Sequence, residues 1–376
     1  MRFRGETLFH GEGAIGVCRS SAPSNNLRDD KVKFMKLKRL RRLRDKDIVE
    51  FVRSSAELAA VLEVSGWPKP GNVHRTRDHP DARYEHFLAG SIALGPSISI
   101  AARRGLMLAK GKIEASRVGL GRLIKKAVLD IVKFHYGGNT HLGASLLFIP
   151  LAVAASKTLF DNGEIRPEDL RNNVGQVIKA TTARDAVKVY EAIASASSPR
   201  ELGRLERGGI PDVYDEKAKE KLLERGITLY RVMEESSHYD TIAKELSTSM
   251  ETSFNIGYKC IMEIFEETGD INTSTVHTFL KILSVVPDTF IARKVGLKKI
   301  RNIEEAVRLG IKETFWISDT AREILKLGGL TTDEGRRALW MFDKKLQGFG
   351  KDYNPGTTAD LTAASLMIAL LSGLKF

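Results

Sequence analysis

Apolar residues recur at helical spacing along most of this chain. Ile48, Phe51, Val52, Ala59 and Leu62 share one face of a segment that opens at Asp45 and stops at Gly66 and Pro68. Val118, Leu123, Ala127, Val128, Ile131 and Val132 predict another helix, and Pro167 followed by Glu168 and Asp169 opens a further one. Thr182 is placed to cap the segment that carries Ala186, Val189, Tyr190 and Ile193. Helical patterns continue through 215–246, 249–268, 275–286, 318–327, 333–347 and 358–373. Alternating β-branched runs between hairpin turns are nearly absent, and neither a fixed-period repeat nor a Pro- or Ser-rich linker divides the chain. The pattern predicts an all-α protein with a single multi-helix domain over 35–376. Residues 1–34, rich in Gly, Ser, Asn and Arg and lacking an apolar period, read as a flexible N-terminal extension ahead of an internal Met35.

The longest apolar run, Leu142 to Ala155, is shorter than the ~20 residues that cross a bilayer and contains Pro150, so it predicts a buried helix. No apolar stretch of the secretory kind follows the first residues, and a cytosolic protein is expected. Cys18 and Cys260 are the only cysteines, which excludes a disulfide framework and a cysteine-based zinc site. The net charge of +12 changes the picture less than its size suggests. Residues 31–46 hold nine lysines and arginines against one aspartate, so most of the excess is local. A solvated face or tail explains such a run as well as a polyanion contact does, and no nucleic-acid module accompanies it.

Three loops combine Gly or Pro with Asn or Thr and with acids or histidines: Lys69–Asp81, Gly137–Ser145 and Asn354–Ala364. The second and third precede helices, whose free N–H groups and partial positive charge suit phosphate oxygens. Asn139, Thr140, Thr357 and Thr358 therefore have two open readings, as helix caps or as phosphate ligands. Gly138–Ser145 spells a Walker-like GxxxxG-A-S but lacks the lysine and a preceding strand, which argues against a P-loop. In the first loop Lys69 offers a charge for phosphate, Asp78 and Asp81 offer hard oxygen ligands for Mg²⁺, and His74 and His79 offer protons. His10, His86, His135, His238 and His277 read as structural. In "VVPDTFIARKVG", Asp288 and Arg293 are either a helix-tying ion pair or a further acid with a phosphate-binding arginine.

The segments "KPGNVHRTRDHPDARYEHFLAGS", "NTHLGASLL", "PDTFIARK" and "GTTADLTA" together resemble the triphosphoribosyl-dephospho-CoA synthase family, from Lys69 to the C-terminus. The resemblance implies an all-helical enzyme that transfers the triphosphoribosyl group of ATP to 3′-dephospho-CoA with release of adenine. It matches Lys69, Pro70 and Gly71, then His79 and Asp81, then Asn139, Thr140, His141 and Gly143, then Asp288, and last Ala359 and Asp360. This chain departs from the family at Asn72-Val73-His74, at Gly356-Thr357-Thr358 and at Ala82, which bears on the acceptor more than on the nucleotide.

Breaking a bond at an anomeric carbon needs an acid for the departing base, a carboxylate for the incoming hydroxyl and cations on the triphosphate. On this reading Asp360, His79 and Asp288 are the catalytic candidates. Lys69, Gly71, Asn72, Asn139, Thr140, His141, Arg293, Thr357 and Thr358 bind ATP, and Asp81 and Asp288 hold Mg²⁺. Lys69, Asp81, Asn139 and Thr358 are expected along one cleft. The alternatives are a related ATP- or phosphoribosyl-dependent transferase with another acceptor, and a nucleotide- or RNA-binding regulatory protein using the basic segment. No membrane partner is expected, and the oligomeric state is left open.

Overall fold

Capping chemistry starts the helices where the sequence supplies it. The computed structural model describes residues 44–206 and 208–376, so the extension expected over 1–34 and most of the basic run lie outside the described residues. Helix α1 (Asp45–Ser65) opens with Asp45 and Asp47 in its first turn and ends at Gly66. In α6 (Ala183–Ala196) the Thr182 hydroxyl accepts from the Asp185 N–H while the Asp185 carboxylate takes the Thr182 N–H, a reciprocal capping box. Pro167 begins α5 (Pro167–Lys179), where its missing N–H costs nothing.

The remaining helices are α2 (Tyr84–Ala109), α3 (Leu120–Phe134), α4 (Leu142–Asn162), α7 (Pro199–Leu202), α8 (Ala218–Glu224), α9 (Leu229–Ser236), α10 (Thr241–Ser247), α11 (Lys259–Thr268), α12 (Ile271–Val285), α13 (Thr289–Leu297), α14 (Ile303–Lys326), α15 (Asp333–Gly348) and α16 (Gly356–Leu371). Among the described residues there is no strand, only isolated bridges at His74–Arg77, His79–Ala82 and Arg204–Asn302. The all-α expectation holds.

Two helices that are apolar all round occupy the centre, as such helices must. In α4 every side chain from Leu147 to Ala155 is buried, Pro150 included, and in α16 Leu361, Ala364, Leu366, Met367 and Ile368 are fully enclosed. Each such large side chain contributes roughly 1.5–3 kcal/mol of burial. By length and composition alone α4 would pass for a membrane span, yet it is wrapped by α1, α2, α3, α5 and α16. Glycine lets α2 approach closely: a Cβ at Gly105 would lie 2.2 Å from the Val153 carbonyl oxygen of α4. A second apolar cluster, with Phe279, Leu283, Ile317, Phe342 and Leu346, joins α12, α13, α14 and α15.

One helix is not expected from the sequence, and two expected segments differ. Helix α2 carries Pro96, Gly90, Gly95 and Gly105, breaker residues that hide its period in the sequence. The 215–246 pattern divides into α8, α9 and α10, because Gly226 turns at φ +62° and Thr228 and Asp240 each cap a new start. The 249–268 segment begins with a π-helical turn, Ser253–Tyr258. The buried Glu245 carboxylate receives the Thr252 and Ser253 N–H groups there, at 2.8 and 2.9 Å.

Candidate active site

The start of α4 and the start of α16 open onto one cavity of about 250 Å³. Its polar lining comes from Glu63 and Asn72, from Asn139, Thr140, His141 and Gly143, from Thr357 and Asp360, and from Asp240 and Arg293. Much of the remaining lining is apolar, with Tyr190, Ile193, Leu205, Ile210, Met233 and Tyr239. A cleft with apolar walls and a few convergent polar groups is the usual form of a small-molecule site.

Hydrogen bonds fix the loop that leads into α4. The Gly137 N–H donates to Nδ1 of His135 at 3.0 Å, so His135 carries its proton on Nε2 and donates it to the Thr140 hydroxyl, 3.1 Å away. Thr140 then spends its own proton on Nδ1 of His141 at 2.8 Å. His141 donates from Nε2 to Ser91 at 3.3 Å, and Ser91 donates to the Phe87 carbonyl at 2.8 Å. Every member of this chain is neutral and satisfied. Burial, with His135 nearby, lowers the His141 pKa to about 3, so His141 faces the cavity without charge and adds no cation for phosphate. Asn139 caps α4, accepting the Leu142 N–H at 3.0 Å.

At α16 a carboxylate of the protein itself takes the anion position. Asp288 Oδ1 accepts the Ile291 N–H at 3.0 Å, capping α13. Its Oδ2 accepts both the N–H and the hydroxyl of Thr358 at 2.8 Å. Asp288 and Thr358 are thus turned to each other and away from the cavity lining, contrary to the catalytic, metal and phosphate roles expected of them. Thr357, one residue earlier, faces the cavity instead.

Asp360 stands one turn into α16 and packs on the first turn of α4. A Cβ on Gly143 would come within 1.9 Å of Asp360 Oδ2, so only glycine permits this approach. Burial and the neighbouring charge of Glu63 hold the Asp360 carboxyl well above the usual aspartate range, with an opposing contribution from the Ala144 N–H. Arg293, whose side chain is only 14% exposed, lies over the Phe290 ring and has Asp240 3.8 Å away. Its Nε is buried and has no hydrogen-bond partner among the described residues. A guanidinium on a cavity wall with a donor still unpartnered is equipped to receive a phosphate.

The loop from Lys69 to Asp81 departs most from expectation. Lys69 is fully buried, behind the cavity wall rather than on it. Its ammonium bonds the Glu63 carboxylate and donates to Asn72 Oδ1 at 3.0 Å. Asn72 in turn donates to Asn354 Oδ1 at 2.8 Å, which ties the loop to the approach to α16. Gly71 turns at φ +69°, where a Cβ would strike Leu346 at 2.7 Å, and its N–H reaches Asp343 at 2.9 Å. His74 donates to the same Asp343 at 3.3 Å, and His79 donates to the Gly71 carbonyl at 3.1 Å. His79 therefore fixes the turn and does not reach the cavity lining. Asp78 accepts the Tyr84 N–H at 2.8 Å, at the start of α2. Asp81 is exposed and ion-paired with Lys351. The loop is polar because it braces itself.

Among the described residues no cluster of three or more histidines, cysteines and acids fits a metal ion. The acids expected to hold Mg²⁺ are both engaged: Asp288 spends both oxygens on backbone and hydroxyl donors, and Asp81 is ion-paired with Lys351. Sequence reasoning overlooked Glu63, Asp240 and Asp343. For Glu63 a signal existed: it continues the buried stripe of Val52, Ala56, Ala59 and Ala60 on α1, where an acid is out of place.

Comparison with known proteins identifies the family. A family model described as ATP:dephospho-CoA triphosphoribosyl transferase matches residues 50–375. The 2-(5''-triphosphoribosyl)-3'-dephosphocoenzyme-A synthase of Klebsiella pneumoniae is 23% identical over 333 residues, 88% of this chain and 94% of that protein. The crystal structure of an Archaeoglobus fulgidus protein assigned as a triphosphoribosyl-dephospho-CoA synthase shares the fold. It aligns at a TM-score of 0.53 and 24% identity, covering 78% of this chain and all of that one.

Proposed function

Because the chain belongs to the ATP:dephospho-CoA triphosphoribosyl transferase family, we propose that the cavity between the starts of α4 and α16 is where the triphosphoribosyl group leaves adenine for its acceptor. The observation that carries this reading is a buried acid and a buried guanidinium lining one cavity, Asp360 and Arg293, the latter with its Nε unpartnered among the described residues. Asp360, kept in its acid form by burial, can protonate the departing adenine as the C1′–N9 bond breaks. Arg293 takes the triphosphate, with the Thr357 hydroxyl and the Asn139 side-chain amide as neutral donors beside it. His141 acts only through its shape and its bond to Thr140. Mg²⁺ bound with ATP would neutralise the triphosphate; of the acids expected to hold it, Asp81 is paired with Lys351 and Asp288 with Thr358. A cytosolic setting, where ATP is at hand, suits this chemistry.

Incubation with ATP, Mg²⁺ and dephospho-CoA is expected to release adenine in an acceptor-dependent way. Arg293→Met should raise the KM for ATP about tenfold or more, corresponding to a lost charged hydrogen bond. Adenine release without any need for dephospho-CoA would point to another acceptor, and an unchanged KM in the variant would remove Arg293 from the phosphate site.

A further inference from the structure

We propose that Glu63 is a second catalytic carboxylate of this cavity, the base that takes the proton from the attacking hydroxyl, and that Lys69 is the positioning residue that holds it. The inference rests on the reading of the cavity as the transfer site.

Most acids lining the cavity are already engaged. Asp212 has both oxygens occupied, by Arg204 at 2.9 Å and by the Leu205 and Tyr214 N–H groups at 2.7 and 2.8 Å. Asp240 caps α10 through the Ala243 N–H at 3.0 Å and faces Arg293 with its other oxygen. His141 has neither nitrogen to spare. Glu63 is different. Its Oε1 is bonded to Lys69, while its Oε2 has no hydrogen-bond partner among the described residues, although Glu63 is 93% buried (7% exposed) and lines the cavity.

Burying a carboxylate and an ammonium together costs several kcal/mol per ion before their attraction repays it, so an apolar pair would serve stability as well or better. The arrangement makes sense as chemistry. Burial raises the proton affinity of Glu63 above that of an ordinary glutamate, and Lys69 opposes this and keeps the carboxylate available. Asp360, which has no lysine bonded to it, stays the acid. Burial raises the proton affinity of both neighbouring carboxyls, and the one bonded to an ammonium is the better placed of the two to act as the base.

The step balances. As the hydroxyl oxygen of the acceptor forms its bond to C1′, its proton passes to Oε2 of Glu63. The C1′–N9 bonding pair goes to adenine, which receives the proton of Asp360 and leaves neutral. Glu63 ends protonated and Asp360 ionised, and one proton moving between them through cavity water restores the site.

Glu63→Gln keeps an acceptor for Lys69 but cannot take the proton. Its kcat for adenine release is expected to fall about 100-fold or more, with the KM for ATP within about threefold of wild type and an unchanged melting temperature. Azide supplies a second readout, because it attacks C1′ without a proton to lose. Azide should restore adenine release in Glu63→Ala and fail to do so in Asp360→Asn, where protonation of the leaving group is lost. A folded Glu63→Gln enzyme with kcat within about fivefold of wild type overturns the assignment, as does an inactive Glu63→Ala that ignores azide. If wild type itself releases no adenine with ATP and dephospho-CoA, the parent reading fails and takes this one with it. If wild type turns over and Glu63→Gln does too, only this proposal fails.

Discussion

At the scale of single residues, protonation states in this site are set by what each atom already holds. His141 accepts from Thr140 and donates to Ser91 inside the protein, so charging it means breaking the chain. Its folded pKa of about 3 lies below the ~6.5 of an unfolded histidine. The unfolded state therefore binds the extra proton first. The stabilisation is complete above pH ~6.5 and is lost as pH falls towards 3, at about 1.4 kcal/mol per unit. Between pH 7 and 5, wild type should lose about 2 kcal/mol more than His141→Asn in urea unfolding, and parallel losses would disprove the locked neutral state. The residue types of the site were legible in the sequence, but their tasks were only partly so. Lys69 and Asp288 look like free charges in one dimension and prove to be spent on Glu63 and Thr358, because satisfaction of a buried charge depends on neighbours remote in the chain.

At the scale of elements, Asp288 is a clamp between two helices. One carboxylate caps α13 and holds the first turn of α16, so its removal exposes the orphan N–H groups of both. Each lost cap costs about 1–2 kcal/mol, so Asp288→Ala should lower unfolding stability by about 2–4 kcal/mol. The folded fraction should keep kcat within about tenfold of wild type, whereas a loss of kcat without a loss of stability would return Asp288 to the chemistry. Helices α1 and α15 could be read from their periods because one face of each is buried, and α16 from its unbroken apolar run. Helix α2 could not, since its Gly and Pro positions answer to packing against α1 and α4 rather than to local propensity.

At the scale of the whole molecule, the cavity gathers α1, the α3–α4 loop, α10, α13 and α16, whose residues are scattered from Glu63 to Asp360. The sequence offered the helix-starting loops as candidates, and the buried character of α4 and α16 made their meeting reasonable. What it could not supply was the depth of each group. Lys69 and Asp81 share one loop, yet the first is sealed in the interior and the second lies in solvent, each 57% exposed side chain of the Asp81–Lys351 pair worth about 1 kcal/mol or less to stability. The Lys351 charge holds the Asp81 carboxyl below the usual aspartate range, so it is ionised but already answered. A metal held by the triphosphate and not by this loop makes a definite prediction. EDTA should abolish turnover and Mg²⁺ restore it in wild type and in Asp81→Asn alike, with the same half-saturating Mg²⁺ concentration within about twofold. A requirement for tenfold more Mg²⁺ in Asp81→Asn would mean that the exposed loop closes over the nucleotide and that Asp81 exchanges Lys351 for the metal when ATP binds.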